Sequence, residues 1–172
     1  MILSGKKVSD FFEEPVAKIN PAGVDLVPRG VFRIPENATA FLKGNERGFI
    51  IEGRFVEQRL GKERVVPDSE GFYNLTPGVY EIVLQKVKIP LNATGFCHSR
   101  TSLVRLGIVK AESAVWDSGY EGEGMQIFHF PSNARIHKDE AWVQFVAFSN
   151  SEEAGKGYSG YYQGEKLSQR NP

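Results

Sequence analysis

A single cysteine, Cys97, leaves the chain without an internal disulfide, so its core has to hold by packing rather than by the staples of small secreted scaffolds. Histidine is scarce too. His98, His129 and His137 are the only three, and no cysteine pair accompanies them at zinc-ligand spacing; hydrolytic chemistry through a protein-held zinc is not expected. Net charge is absent, since 21 Lys and Arg balance 21 Asp and Glu. Without an excess of positive charge, the attraction that drives non-specific binding to a phosphate backbone is missing, and nucleic acid is not an expected partner. Apolar runs stop at a charge or a glycine well short of the roughly 18 residues that cross a bilayer. Residues 1–9 hold no signal-peptide core. A soluble, cytoplasmic protein without a membrane partner is expected.

Turn formers, by contrast, are plentiful. Eighteen Gly and nine Pro punctuate the 172 residues, separating short runs rich in Val, Ile, Phe and Tyr, the texture of an all-β sandwich or barrel. The length suits one domain with a real core. Strands are predicted over 48–56 (GFIIEGRFV), over 79–89 (VYEIVLQKVKI), which alternates with period two, and over 141–148 (AWVQFVAF). Pro77-Gly78 and Pro90 bracket the second run as turn signals. Two short helices are predicted, one over 5–13 with Val8, Phe11 and Phe12 at helical spacing, the other over 101–109 with Leu103, Leu106 and Ile108. The charged, glycine-bearing segment 43–71 reads as a hairpin with a solvated tip. Residues 155–164, with four Gly and three Tyr, read as a mobile tail.

Chemistry is then sought in the loops of that scaffold. Residues 97–107 (CHSRTSLVRLG) gather Ser99, Arg100, Thr101, Ser102 and Arg105 at the start of a helix. Hydroxyls, guanidinium forks and free helix amides suit a polyanion; the alternative is a capped helix with its arginines in solvent. Asp117, within AVWDSGYEGEG, follows an apolar triplet and precedes a glycine-rich turn carrying Tyr120. It is either a general base aimed at a water or one corner of an ordinary Asp-Ser-Gly turn. Asp25 in PAGVDL sits at a strand start. The tail sequence YSGYYQGE is either aromatic cover for a planar base or a disordered end.

Taken in order, these pieces resemble the dCTP deaminase and dUTPase superfamily, and within it the archaeal dUTPase branch. Met1-Ile2-Leu3-Ser4 is similar to the family's start, and residues 20–26 (NPAGVDL) to its first motif. Residues 100–107 (RTSLVRLG) resemble its Arg-Ser-Ser-Leu-Ala-Arg-x-Gly segment, and 116–122 (WDSGYEG) its Asp-Pro-Gly-Trp/Tyr-x-Gly motif. Gln144 stands where the family has a strand glutamine, and Tyr162-Gln163-Gly164 matches its C-terminal Tyr-Gln-Gly. The resemblance implies a distorted jelly-roll β-barrel over 1–157, a C-terminal arm over 158–172 that closes on the nucleotide, and a homotrimer with interfacial sites. It implies Mg²⁺-dependent hydrolysis of dUTP to dUMP and pyrophosphate, with Asp117 as the base. Arg100, Thr101, Ser102 and Arg105 would cradle the triphosphate, and Tyr120 would pack under the deoxyribose. Gln126, Gln144, Tyr158 and Gln163 are further nucleotide contacts. Asp25 would be structural or stand behind the metal. Deaminases of the family carry a Glu ten residues after the motif Asp, and here that position is Ile127. This speaks for the dUTPase over a dCTP deaminase, and intact Asp117, Arg100 and Arg105 speak against a silent nucleotide-binding homologue.

Overall fold

Strands are the dominant regular structure of the chain, and the turn formers set their ends. The computed structural model describes residues 1–167. Helix α1 (Gly5–Ser9) is followed by β1 (Lys18–Asn20), β2 (Gly23–Leu26), β3 (Gly30–Arg33), β4 (Thr39–Lys43), β5 (Glu46–Ile51), β6 (Arg54–Glu57) and β7 (Glu63–Val65). Then come β8 (Phe72–Leu75), β9 (Gly78–Lys88), β10 (Ala93–Ser99), helix α2 (Thr101–Arg105), β11 (Val109–Lys110), β12 (Glu121–Phe130), β13 (Ala134–His137) and β14 (Val143–Ser149). A four-stranded sheet, in the order β1-β2-β14-β10, faces a five-stranded sheet ordered β11-β12-β9-β3-β7. Small sheets of β13-β8 and β4-β5-β6 complete a distorted jelly roll. Among the described residues no helix is long and apolar enough to cross a membrane.

The core lies between the two large sheets. β12 is buried in alternation, with Phe128 and Phe130 on its inner face, while β9 is buried on both faces from Tyr80 to Gln85, and Trp142 is fully buried against the two phenylalanines. Its ring centroid lies 5.6 Å from those of Phe128, met edge-on, and Phe130, met at a tilt, arrangements that avoid the face-to-face stacking aromatic quadrupoles disfavour.

Four sequence expectations are corrected. Residues 48–56 form a hairpin rather than one strand: Glu52 and Gly53 take φ of 50° and 75°, as a two-residue turn between β5 and β6 requires. Apolar residues flank that turn on both sides, which hid it. Helix α1 stops at Ser9 instead of running to residue 13, because Phe12 leaves it to bridge Val87 and pack edge-on against Phe145 at 5.4 Å. Ser4 caps it, its Oγ accepting from the Lys7 amide at 3.3 Å. Helix α2 stops at Arg105, since Gly107 turns the chain at φ 77° and Val109 pairs with His129 as a strand. Finally, 155–164 lies on the body of the protein. The Tyr158 amide donates to Ser118 O at 2.8 Å and the Gly164 amide to Glu121 O at 2.7 Å. Beyond it Leu167 is fully buried with Phe32 and Val83. Burial of that leucine, with Tyr158 and Tyr162 half-buried against the core, offsets the entropy of ordering the glycines. Residues 168–172 of the predicted arm lie outside the described residues.

Candidate active site

The site is built around the turn that joins residues 113–117 to β12. Trp116 is pinned by two backbone bonds of 2.9 Å with Gly95, so the next residue, Asp117, leaves the body of the barrel from a fixed point. The turn closes through the Tyr120 amide, which donates to Asp117 O at 3.0 Å. Ser118 stands where the family motif has proline, and its hydroxyl donates to Ala93 O at 2.7 Å while accepting from Asn150 Nδ2 at 2.8 Å. Two side-chain bonds thus do the stiffening that a proline ring would supply. Gly119 adopts φ 78°, and a Cβ there would meet the Gly157 Cα at 2.6 Å; a residue with a side chain would push the tail off the turn.

Asp117 opens onto a cavity of about 380 Å³ that it shares with Tyr120, Gln126 and Tyr158. The carboxylate is exposed. Tyr120 is buried, with Trp116 and Tyr158 packed at 5.5 Å and 5.6 Å. Burial, followed by the nearby Glu165 charge, pushes its phenol above the ordinary tyrosine value, so the hydroxyl stays protonated and donates to Glu123 O at 3.3 Å. The amide of Gln126 is held on both sides, donating to Met125 O at 2.6 Å and accepting from Lys110 Nζ at 3.1 Å.

The arginines stand elsewhere. Arg100 caps α2 without a side-chain bond to it, and instead forms an ion pair with the buried Asp25. Asn20 Nδ2 adds a 2.7 Å bond to the same carboxylate, so Asp25 is occupied as a clamp between β2 and α2. Gln144 pairs in register with Asp25, and directly opposed residues share a face of the sheet. Thr101, Ser102 and Arg105 are exposed on α2. None of these residues lines the cavity with Asp117. Gln163 also stays outside it, binding the backbone of the turn: its amide donates to Gly119 O and accepts from the Glu121 N–H, both at 3.2 Å.

Residues 1–148 match the dCTP deaminase-like family. The chain belongs to that family. A probable deoxyuridine 5'-triphosphate nucleotidohydrolase of Methanosarcina barkeri is 34% identical over 151 residues, 86% of this chain and 82% of that protein. Its counterpart from Aeropyrum pernix is 33% identical over 152 residues, 87% of each chain. The solved 2'-deoxycytidine 5'-triphosphate deaminase from Agrobacterium tumefaciens superposes with a TM-score of 0.58 at 18% identity. It covers 85% of this chain and 46% of that one, a likeness of fold.

Within this dCTP deaminase-like chain, the cavity takes in side chains that the motifs do not mark. Lys62 and Glu81 form an ion pair in its wall, 6% and 1% exposed. Glu81 is the register partner of Ile127 on the neighbouring strand. A lone carboxylate inside the apolar run 79–89 was the available sign. Tyr162 and Glu165 of the tail line the same cavity. Both belong to the segment YSGYYQGE that the sequence offers as aromatic cover, where Tyr158 and Gln163 are the expected nucleotide contacts.

Proposed function

We propose that the protein is a dUTP diphosphatase, hydrolysing dUTP to dUMP and pyrophosphate. The observation that carries this reading is Asp117, an exposed carboxylate at the edge of a cavity walled by Tyr120, with Ile127 at the position where the family's deaminases carry a glutamate. Hydrogen-bond recognition suffices for the base in hydrolysis, whereas deamination at C4 needs a proton shuttle there. The names of the archaeal relatives support the same choice.

Asp117 orients a water against the α-phosphorus and accepts its proton as the P–O bond forms. The bond from the α-phosphorus to the bridging oxygen breaks, and pyrophosphate leaves with the electron pair. Tyr120 packs against the deoxyribose and crowds a 2'-hydroxyl, which selects dUTP over UTP. Among the described residues no three carboxylate, histidine or cysteine side chains converge as a cation cage. One exposed carboxylate beside a triphosphate suits Mg²⁺, a hard ion that keeps most of its oxygens from phosphate and water. Magnesium, when bound, neutralises charge that develops on the phosphate oxygens.

Because Arg100, Thr101, Ser102, Arg105 and Gln144 do not reach the Asp117 cavity within one chain, we assign them to the site of a neighbouring copy in a homotrimer. Each guanidinium, hydroxyl or helix amide then meets a triphosphate lying across the subunit boundary. The segment 158–172 serves as the arm over the nucleotide, and the enzyme works in the cytoplasm, beside the nucleotide pool. The test offers dUTP and dCTP separately with Mg²⁺ and resolves the products by chromatography. Release of dUMP and pyrophosphate from dUTP, with no uridine nucleotide from dCTP, is the expected result. Deamination of dCTP at a rate comparable with dUTP hydrolysis overturns the reading.

A further inference from the structure

The hairpin strands β5 and β6, which no motif of the sequence marks, reach the tail through two arginines. The Arg47 guanidinium lies 4.5 Å from the ring centre of Tyr161 and 5.2 Å from that of Tyr162, and its Nη1 donates to the Tyr162 hydroxyl at 2.6 Å. Just beyond β6, Arg59 lies 5.6 Å from the Tyr161 ring centre and pairs with the Glu165 carboxylate at 3.2 Å. Glu165 is 6% exposed. Each contact joins a hairpin arginine to the short piece of tail whose Tyr162 and Glu165 line the Asp117 cavity.

We propose that Arg47 and Arg59 are positioning residues that latch the C-terminal arm over the nucleotide site of the same chain. The proposal rests on the dUTPase reading for what the cavity holds. First, a guanidinium over a tyrosine face is attracted by the ring quadrupole and, being planar, stacks in one orientation; Arg47 does so against two adjacent rings and adds a hydrogen bond. Second, an acidic side chain facing a cavity meant for a triphosphate repels it. Arg59, which also lies 3.8 Å from the Glu57 carboxylate, offsets part of that charge and so eases the approach of an anionic ligand. Third, the tail carries four glycines between residues 155 and 164, so its closed form is entropically costly and needs contacts beyond its backbone bonds to be the dominant state.

A latch of this kind changes the population of the closed state rather than the chemical step. Apparent affinity falls by the fraction of chains that are closed, and saturating substrate restores closure. Arg47→Ala with Arg59→Ala is therefore expected to raise the KM for dUTP about tenfold while kcat stays within about threefold. Without nucleotide, amide exchange over residues 158–165 should quicken by about tenfold, since it follows the open fraction. Arg59→Lys keeps the Glu165 pair and should behave as the unsubstituted protein. Arg47→Lys loses the planar stack and should resemble Arg47→Ala.

The full-length chain and the four variants are compared by steady-state hydrolysis and by hydrogen exchange followed by mass spectrometry. Tail exchange unchanged in the double alanine variant overturns the latch, as does a fall in kcat at constant KM, or full rescue by Arg47→Lys. Exchange is read without substrate. An unsubstituted chain that leaves dUTP intact therefore removes the dUTPase reading, while the exchange data still decide whether the arginines hold the arm.

Discussion

Gly124 tests whether the wall of the cavity depends on one missing methyl group. A Cβ at this position would lie 1.6 Å from Trp116 Cη2 and 2.4 to 2.5 Å from Cζ2 and Cζ3. Carbon atoms settle at about 3.5 to 4.0 Å, so Gly124→Ala forces the indole to move by about 2 Å. The Trp116 backbone cannot follow, because Gly95 holds its N–H and C=O. The ring must swing instead, into Phe145 at 5.4 Å or Tyr120 at 5.5 Å. Overpacking of this kind costs about 1 to 3 kcal/mol, which for a domain of this size lowers Tm by roughly 2 to 12 °C. The activity effect should be larger. Tyr120 is the wall of the cavity and Asp117 follows Trp116 directly, and an error of about 1 Å in a reacting geometry costs on the order of 100-fold in rate. The assay pairs thermal melting with dUTP hydrolysis, using Gly155→Ala as the control, since a Cβ at Gly155 meets nothing within 4 Å. A Gly124→Ala protein that melts and turns over like the Gly155→Ala control refutes the reasoning, because the indole would then have room to spare.

Three further outcomes are expected. Asp117→Asn should abolish dUTP hydrolysis while keeping nucleotide affinity within about tenfold, as the amide preserves shape without accepting a proton; calorimetric binding of a non-hydrolysable dUTP analogue separates the two. Burial pushes the Cys97 thiol up to about 12, so iodoacetamide at pH 8 should leave the native protein unmodified and alkylate it once urea unfolds it. Asp68 accepts from the Phe72 amide, the Asn74 side chain and the Glu70 amide, which hold its carboxyl at about 2 against an ordinary 3.8. A depressed carboxylate contributes stability above its unfolded value and loses it as the pH falls through the folded one. Asp68→Asn should therefore melt lower than the unsubstituted chain at neutral pH, with the gap shrinking below about pH 4 and closing near pH 2, as differential scanning calorimetry across that range would read.

Strands with a clean two-residue period were legible: the run 79–89 appears as β9 and 141–148 as β14, each shifted by one or two positions. The same test merged β5 and β6, because apolar residues continue through Ile51 and resume at Phe55 while Glu52 and Gly53 make the turn between them. Helix lengths were overestimated for a tertiary reason. Phe12 and Val109 satisfy a helical pattern locally, yet each gains more by pairing across the barrel. In the candidate site, Asp117 and Tyr120 could be found because a turn of fixed sequence carries both. Lys62 and Glu81 carry no motif, since their meeting depends on how β9 packs against the segment before β7; the tail segment 158–165 is marked by the sequence, but not which of its side chains enter the cavity. Leu167 shows the same limit. Its neighbours in sequence are polar, and only its packing against Phe32 and Val83, remote in the chain, gives it a reason to be buried.

The strand order also governs when the molecule can become itself. β2 is made early in the chain and is flanked by β1 and β14, so Asp25 cannot meet its opposite number, Gln144, until nearly all of the barrel has been synthesised. Until then β2 offers an open edge, and the four-stranded sheet has no centre. Pairing of this kind, between segments far apart along the chain, is slow because loop closure must precede any gain from contact, and open edges in the interval invite association with other chains. The clamp of Arg100 on Asp25 belongs to that late event, so the face assigned to the triphosphate is shaped only as the barrel closes.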